Sequence, residues 1–429
     1  MRFAEALAEL DARQPESMPQ PDLSRITAVS ELLDDPQLTY PTIHVTGTNG
    51  KTTTARLITQ LACAHGLSTG LYTSPHLEKV TERMQLCGDP ISDDEFAEEY
   101  AHLLPFLQTV DARGGVANVT YFEALTALAY LWFADKPVDL AVFEVGMGGA
   151  WDATNLVAGD VAVLCPISLD HRELGDTVEK VATEKAGIIK PGKIAVAREQ
   201  RPEALKVIED RCAEYEVTLY LEGRDFSLAS RTQGVGGQVL HVRTPRAEYA
   251  DLLMHLHGEH TARNAAAAIV ALEAFLDRPL EDDVTREALA LAASPGRLEV
   301  VARRPLVVLD GAHNPAAAEA LVTSLRETFT WDRLHLVVAG FTSHDLEKVV
   351  NTLATVADAA YAASNSSPRS RPAEEIAGFL VAREVPTEVH ATVEAALDAA
   401  TAAAGEGDLI LVTGSLYTVA DARRARGDP

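Results

Sequence analysis

The amino-acid sequence predicts a two-domain α/β protein. In both halves of the chain, short runs rich in valine, isoleucine and leucine alternate with stretches of helical pattern, which is typical of strands followed by crossover helices. The strand-like runs are continuously apolar, as expected of parallel strands that are covered on both faces. A Pro295-Gly296 turn separates the two series.

The first series predicts a parallel sheet. Its strand candidates are Thr42–Gly47, Asp139–Gly146, Val161–Ser168 and Ile194–Ala197. Helical patterns lie between them, for example Thr53–Ala64 and Glu123–Phe133. The segment Leu219–His257 carries shorter and more polar runs, such as Val239–Thr244, and we expect it to form an antiparallel addition to the first domain.

The second series predicts a smaller, Rossmann-like α/β domain. Its strand candidates are Pro305–Gly311, Leu334–Phe341, Asp358–Ser364 and Asp408–Ser415, with helices such as Ala316–Thr328 between them. The Pro-Gly turn places the boundary within Ser294–Glu299, which predicts domains at residues 1–295 and 296–429.

Composition excludes several functional classes. The 429 residues include 37 Lys and Arg against 63 Asp and Glu, a net charge of −26, which is unsuited to general nucleic-acid binding because that binding needs clustered cations. The N-terminus lacks the apolar core of a signal peptide. The most apolar long stretch, Ala124–Val145, is interrupted by Asp135, Lys136 and Asp139, so no membrane span is predicted. We therefore expect a cytoplasmic protein.

The four cysteines, Cys63, Cys87, Cys165 and Cys212, do not form a C-x-x-C pair. Neither a disulfide framework nor a cysteine-rich zinc site is predicted.

The strongest motif is a glycine-rich turn between a predicted strand and a predicted helix. It reads Gly47-Thr48-Asn49-Gly50-Lys51-Thr52-Thr53-Thr54. Such a turn directs backbone N–H groups at a phosphate, a lysine reaches the outer phosphates, and the following hydroxyl can meet Mg²⁺. The usual spacing would place glycine at Val45, so this loop is a shortened variant. No Asn-Lys-x-Asp base-reading motif of GTPases is present, which favours ATP.

Acidic and imidazole side chains follow two predicted strands. Glu144 ends one strand, and Ser168-Leu169-Asp170-His171 follows the next. Ligands bind beyond the C-terminal ends of strands in open α/β sheets, so both groups are expected near the phosphate loop. Glu144 suits Mg²⁺, whereas a histidine ligand is less usual. The residue pattern alone favours His171 as a loop imidazole bonded to a nearby carboxylate.

Other candidates are weaker on the residue pattern alone. Lys185 is predicted to be a solvated helix lysine, and Glu123 opens a helix, where it favours the helix dipole. His255 and His257 alternate as on one face of a strand, close to His260, but no zinc motif accompanies them.

In the second domain, a turn-forming sequence follows a predicted strand. It contains Asp310, Gly311, His313 and Asn314. A strand-ending turn explains it, but a charged aspartate and a histidine facing a phosphate loop also suit an interdomain active site.

The order of the motifs resembles one family, the folylpolyglutamate synthases, which include bifunctional dihydrofolate synthases and belong to the Mur ligase superfamily. Nine motifs carry the resemblance from about residue 40 to 418: GTNGKT, Thr73–Leu77, YFEA, Glu144–Asn155, Leu169–His171, Glu184–Gly192, Pro295–Arg297, DGAHNP and Leu411–Thr418. The resemblance implies an ATP-dependent ligase that activates a carboxylate as an acyl phosphate, which the amino group of L-glutamate then attacks.

The resemblance also implies residue roles. By position, Asn49, Gly50, Lys51, Thr52, Thr53, Asn264, Arg297 and Asp310 would bind ATP. Ser74 and Glu144 would bind one Mg²⁺, and His171 a second with Lys185 in carbamylated form. Lys51, His171, Lys185 and His313 would be catalytic, and Tyr121, Phe122, Glu123, Trp151 and Asp152 would hold the pterin-bearing substrate. Folate or dihydropteroate, L-glutamate and ATP are the implied partners. The resemblance does not decide the oligomeric state, and the linear two-domain organisation favours a monomer.

Several positions depart from the family pattern. Thr52 stands where glycine is usual, Ala150-Trp151 where Arg-Leu is frequent, His260-Thr261 where His-Gln is usual, and His344-Asp345 where Lys-Asp is common; the segment after His171 is one residue short. Thr52 is more like cell-wall Mur ligases, but only 46 residues precede Gly47, too few for their UDP-sugar domain. The sequence is also compatible with a monofunctional folylpolyglutamate synthase and with a non-catalytic nucleotide-binding module.

Overall fold

The computed structural model describes residues 1–16, 22–113, 117–169, 172–234, 236–341 and 345–426. The helices are α1 Phe3–Asp11, α2 Ser24–Leu32, α3 Lys51–Ala64, α4 Asp93–Asp111, α5 Tyr121–Asp135, α6 Val178–Lys185, α7 Pro202–Glu214, α8 Glu259–Leu276, α9 Asp282–Ala290, α10 Pro315–Thr328, α11 Leu346–Leu353, α12 Ala373–Val381, α13 Val393–Ala403 and α14 Leu416–Arg426.

The strands are β1 Thr42–Thr46, β2 Thr69–Tyr72, β3 Met84–Leu86, β4 Asp89–Pro90, β5 Leu140–Glu144, β6 Val161–Leu164, β7 Ile194–Ala197, β8 Thr218–Leu221, β9 Ser227–Gly234, β10 Gly237–Arg243, β11 Glu248–Met254, β12 Glu299–Arg303, β13 Leu306–Leu309, β14 Leu334–Val338, β15 Ala359–Ala363, β16 Thr387–His390 and β17 Leu409–Thr413.

The chain divides into two compact units. The first comprises Met1–Arg231, Val239–Leu253 and Arg263–Ala292, and the second comprises Thr232–Gln238, Met254–Ala262 and Ala293–Pro429. Among the described residues, no helix combines the length and the apolarity that crossing a bilayer requires.

The first unit contains an eight-stranded sheet with the order β4-β3-β2-β5-β1-β6-β7-β8. Strands β2, β5, β1, β6, β7 and β8 run parallel, and β3 and β4 add antiparallel at one edge. All five residues of β1 are buried, including the polar Thr42, His44 and Thr46, as expected of a central strand with sheet neighbours on both sides. The four predicted strands of the first series are confirmed.

Strand β1 lies between the two strands that were expected beside it. Val45 pairs with Glu144 of β5, and Thr46 pairs with Leu164 of β6. On one face of the sheet, Phe143 packs with the apolar side chains of α4 and α5. Another cluster joins Leu164 to α6 and α7. The ends of β5, β1 and β6 therefore lie side by side in a sheet that is covered by helices.

The expectation for Leu219–His257 needs correction at its start. Thr218–Leu221 forms β8, which pairs parallel with β7 in the main sheet. The remainder forms a separate three-stranded sheet with the order β11-β10-β9. Few residues separate these strands along the chain, and connections this short can only join antiparallel neighbours.

The second unit contains a six-stranded sheet with the order β12-β13-β17-β14-β15-β16. Strand β12 pairs antiparallel with β13, and the other pairs are parallel. The four predicted strands of the second series are confirmed. The pattern missed β12 and β16 because these edge strands are short and carry polar, partly exposed residues.

The prediction that the cysteines form no disulfide is wrong for one pair. Cys63, in the last turn of α3, is bonded to Cys87, which follows β3, with their Cα atoms 5.7 Å apart. The pairing of Gly70 with Leu86 brings the end of α3 to this turn, and the Cys87 N–H donates to the Thr69 carbonyl. The contact depends on sheet pairing, which cysteine spacing does not reveal. Cys165 and Cys212 are buried free thiols.

This cross-link predicts a redox-dependent stability of the first unit. The two cysteines are 24 residues apart in sequence. Closing a loop of that size stabilises the folded state by about 3 kcal/mol, because it lowers the conformational entropy of the unfolded chain. We expect Cys63→Ser to lower the free energy of unfolding by that amount under oxidising conditions, as measured by urea titration. Cys87→Ser and the double variant should show the same loss. With excess dithiothreitol the wild type should match the variants, and a wild type insensitive to reductant would contradict the prediction.

Candidate functional site

The glycine-rich turn leads from β1 into α3, as predicted. Gly47 and Gly50 have φ angles of +145° and +92°, a region that favours glycine. A Cβ atom on Gly47 would lie 2.5 Å from the Cβ of Cys165, so the close approach of the loop to the end of β6 also requires glycine. The hydroxyl of Thr48 donates to the Ser168 carbonyl at 3.1 Å and holds the loop from the same side. The first N–H groups of α3 are thereby presented at the sheet's C-terminal edge.

Two lysine side chains converge on the Gly47 carbonyl. Lys51 Nζ donates to it at 3.1 Å, and Lys185 Nζ donates to it at 2.9 Å. Lys185 ends α6 and is only 1% exposed, so the prediction of a solvated helix lysine, made from the residue pattern alone, is wrong. The pattern missed this because α6 carries Lys185 on its buried face, beside Val181 and Ala182.

A carboxylate and a hydroxyl meet beside the loop. Glu144, at the end of β5, is 1% exposed and accepts a hydrogen bond from the Thr52 hydroxyl at 2.7 Å. Its other oxygen accepts from the Ser74 N–H at 3.3 Å. Carboxylate and hydroxyl oxygens are the donors that Mg²⁺ prefers, so Glu144 and Thr52 fit this ion, and Ser74 lies beside the same carboxylate. Asp170 and His171 lie outside the described residues.

The aromatic candidates lie at the N-terminus of α5 and on the loop after β5. Tyr121 and Phe122 are half-buried, and a Cβ atom on Gly146 would lie 2.5 Å from the Phe122 ring. Trp151 is also half-buried, and its backbone N–H donates to the Glu184 carboxylate at 3.0 Å. The structure thus brings Phe122 against the glycine-rich loop that follows Glu144.

The two acidic candidates of the same group form buried local contacts. Glu123 pairs with Arg25 at 3.0 Å and accepts from the Thr120 N–H at 2.8 Å, which caps α5. Asp152 accepts from the Met147 N–H at 2.8 Å and from the Thr154 hydroxyl at 2.5 Å. Burial raises the pKa of Asp152, although these hydrogen bonds oppose the shift. Both carboxylates shape the loop and helix that carry the aromatic side chains.

Sequence reasoning missed Arg83, whose buried guanidinium lies 5.6 Å from the centre of the Tyr121 ring. Arg83 is paired with Glu16 and donates through Nε to Nδ1 of His76 at 2.9 Å. Burial, together with the Arg83 charge, lowers the pKa of His76 to about 4, so the ring is neutral and can accept this hydrogen bond. No motif surrounds Arg83, and only the fold brings it to Tyr121.

In the second unit, three candidates meet at the C-terminal end of β13. The Asp310 carboxylate accepts from the Leu298 and Ala312 N–H groups, both at 2.8 Å. Burial raises the pKa of Asp310, and the Arg297 charge opposes this shift. A Cβ atom on Gly311 would lie 2.6 Å from Arg297 Nη1, and the His313 ring contacts the Gly311 carbonyl through Nδ1 at 2.9 Å.

The strand assignment of His255 and His257 is wrong. Strand β11 ends at Met254, so both histidines lie in the connection to α8. His255 contacts the Gly236 carbonyl through Nδ1, and His257 packs against Phe329 with ring centres 5.3 Å apart. Within the described ranges, the three-residue group whose ligand atoms converge is instead Glu99, His102 and Asp135.

A phosphate loop on a parallel sheet, followed by a Rossmann-like unit, defines the class of Mur ligases. The Mur ligase middle domain matches residues 45–272, and the Mur ligase glutamate ligase domain matches residues 296–416. The dihydrofolate synthase/folylpolyglutamate synthase of Mycobacterium tuberculosis is 38% identical over 98% of this chain and 93% of its own length. The chain therefore belongs to the dihydrofolate synthase/folylpolyglutamate synthase family.

Solved structures agree with this membership. The Mycobacterium tuberculosis folylpolyglutamate synthase complexed with ADP superposes with a TM-score of 0.95 at 36% identity, covering 100% of this chain and 98% of that one. The Escherichia coli FolC in complex with DHPP and ADP superposes with a TM-score of 0.89 at 30% identity, with coverage of 100% and 98%.

The contact between Gly47 and Cys165 predicts a site-specific effect of added bulk. We expect Gly47→Ala to lower the free energy of unfolding by about 2–4 kcal/mol, since both the φ angle and the contact with β6 become unfavourable. Gly66→Ala is the matched control, because Gly66 also has a positive φ of +85° but open space around it. It should cost about 1 kcal/mol. Equal losses in urea titrations would show that the contact with Cys165 contributes nothing.

Proposed function

We propose that the chain ligates L-glutamate to folates, and also to dihydropteroate, with conversion of ATP to ADP and phosphate through an acyl phosphate. The observation that carries the proposal is the group around the phosphate loop, where Lys51, Lys185 and Glu144 converge in a chain of this family. The complexes of relatives with ADP and with DHPP support the choice of substrates. A monomer in the cytoplasm, with small molecules as its partners, completes the proposal.

The phosphate loop is proposed to bind the ATP phosphates. The N–H groups from Asn49 to Thr53 lie at the positive end of α3, where anions are stabilised. Lys51 turns from the Gly47 carbonyl toward the outer phosphates when they arrive. By their place in the family motifs, Asn264, Arg297 and Asp310 are also proposed to bind ATP.

Mg²⁺ is assigned to the oxygen group beside the loop. Glu144 and Ser74 would hold one ion, with the Thr52 hydroxyl within reach of the same carboxylate. His171 and a carbamylated Lys185 would hold a second ion, since the carbamate supplies the oxygen that an ammonium lacks. When bound, the ions neutralise charge on the transferring phosphoryl group.

The ligation proceeds in two steps. An oxygen of the substrate carboxylate attacks the γ-phosphorus, the bond to the β-phosphate oxygen breaks, and an acyl phosphate and ADP result. The amine of L-glutamate then attacks the acyl carbon, and phosphate leaves from the tetrahedral intermediate while the amine loses its proton. Lys51 stabilises the phosphoryl charge in the first step. His313 is proposed as a further catalytic residue.

The half-buried rings are proposed to form the binding surface for the pterin. Tyr121, Phe122 and Trp151 offer flat apolar faces to a heteroaromatic ring. Glu123 and Asp152 are proposed to belong to the same substrate site. The buried contact of Glu123 holds the N-terminus of α5 in place, and that of Asp152 holds the loop after β5.

The activity is tested with ATP, Mg²⁺ and L-glutamate, combined with dihydropteroate or tetrahydrofolate in parallel reactions. We expect glutamate-dependent release of ADP and phosphate, and a product heavier by one glutamyl residue, with both substrates. Lys51→Ala is the control and should lose at least about 100-fold in rate. Activity with tetrahydrofolate alone would show a monofunctional enzyme. No turnover with either pterin, but turnover with a UDP-sugar cell-wall precursor, would overturn the proposal.

The carbamate at Lys185 is tested by charge-conserving replacement. We expect Lys185→Arg and Lys185→Ala to lose about 100-fold or more in kcat, because neither side chain can carry a carbamate oxygen. If Lys185 acts as a cation on the phosphates, Lys185→Arg should retain much of the activity. Thermal melts of both variants report whether the loss follows from unfolding of the buried site.

A further inference from the structure

The amide of Asn264, which lies in α8 and is 2% exposed, packs against the phosphate loop. Its oxygen and nitrogen are 3.0 and 3.1 Å from the place where a Cβ atom on Gly50 would lie. Gly50 is the residue directly before the first turn of α3. The amide group therefore lies directly beside Gly50 of the loop, and the function proposed above assigns it to ATP.

Arg198 determines the orientation of the Asn264 amide. Its Nη1 donates to Oδ1 of Asn264. A guanidinium can only donate hydrogen bonds, so the amide must turn its oxygen, and not its nitrogen, toward Arg198. Within the described residues, no hydrogen bond uses the Asn264 nitrogen. The amide nitrogen of Asn264, which can only donate, is thereby turned away from Arg198.

Arg198 itself is held at a fixed position. It follows β7, is 3% exposed, and its N–H donates to the Leu164 carbonyl at the end of β6. Its Nε donates at 2.8 Å to Glu222, which follows β8. The Glu222 N–H in turn donates to the Ala197 carbonyl at 2.9 Å. Parallel neighbours β7 and β8 therefore bring the arginine and the carboxylate to the same sheet edge as the phosphate loop.

Glu222 joins two guanidinium groups. Its second oxygen accepts from Nε of Arg263 at 2.7 Å, while Arg263 also pairs with Glu199. Burial opposes the ionisation of Glu222, but Arg198, the Glu199 N–H and Arg263 outweigh burial and hold its pKa below the usual value. The ionised Glu222 carboxylate thus holds the Arg198 guanidinium in a single orientation.

We propose that Arg198, anchored by Glu222, is a positioning residue that orients Asn264 so that its amide nitrogen donates to a hydrogen-bond acceptor on the bound nucleotide. This role rests on the proposed contact between Asn264 and ATP. It adds that the nucleotide group facing the amide nitrogen is an acceptor, since Arg198 holds the amide oxygen toward itself and an amide nitrogen can only donate.

The first test compares nucleotide binding by Arg198→Lys and by Arg263→Lys, measured as Kd for MgADP by calorimetry. A lysine ammonium at position 198 cannot bridge Glu222 and Asn264 as the planar guanidinium of arginine does. We therefore expect the variant to bind MgADP about 10-fold more weakly. Arg263→Lys is the matched control, because Arg263 shares the carboxylate but, among the described residues, makes no hydrogen bond to Asn264. An ion pair with a purely structural role predicts equal losses for the two variants and would overturn the inference.

The second test is a double-mutant cycle with Asn264→Ala. If Arg198 acts through Asn264, then Arg198→Lys should weaken MgADP binding in the wild type and add nothing in the Asn264→Ala background. An undiminished effect in that background contradicts the inference. If Asn264→Ala itself binds MgADP as the wild type does, the proposed ATP contact at Asn264 is wrong, which is a separate failure.

The third test replaces Asn264 by aspartate. Asn264→Asp keeps an oxygen for Arg198 but removes both amide donors, so MgADP binding should fall at least as far as in Asn264→Ala. The KM for ATP should rise more than the KM for the folate or for L-glutamate. Binding like the wild type would show that no donor is needed, and would overturn the inference. Thermal melts of all variants separate these effects from unfolding.

Discussion

The backbone of the phosphate loop is the constraint on which the first unit depends. Gly47 leaves β1 so close to the end of β6 that Cys165 excludes any side chain at that position. The same residue presents its carbonyl to Lys51 and Lys185, which come from elements far apart in sequence. A loop in this conformation needs β1 between β5 and β6, and that order in turn brings Glu144 within hydrogen-bond distance of Thr52.

The surrounding contacts mostly concern orientation. Arg25 and Thr120 hold Glu123 at the start of α5, so that the neighbouring Tyr121 and Phe122 are placed by a capped helix. Asp152 holds its loop in the same way, through Met147 and Thr154. Buried charges of this kind contribute little net stability, since desolvation offsets much of their attraction. Their common role here is to fix the orientation of the side chains that lie near the phosphate loop.

The chain also differs from its family pattern where the consequences are local. Thr52, in place of the usual glycine, directs a hydroxyl to Glu144. Trp151, in place of a leucine, lies half-buried on the loop after β5 and is anchored through its backbone to Glu184. Both replacements add functional groups beside the ends of β1 and β5, and neither disturbs the order of the strands.

The sequence by itself determined the alternation of strands and helices, the phosphate loop and the acidic strand end, because periodicity, glycine and apolar runs act over a few residues. It determined the family through the order of nine motifs. Tertiary structure alone decided that Lys185 is buried, that Cys63 meets Cys87, that His255 and His257 lie beyond β11, and that Arg198 faces Asn264. Each of these outcomes depends on how elements distant in sequence pack together, and local patterns carry no information on which distant elements become neighbours.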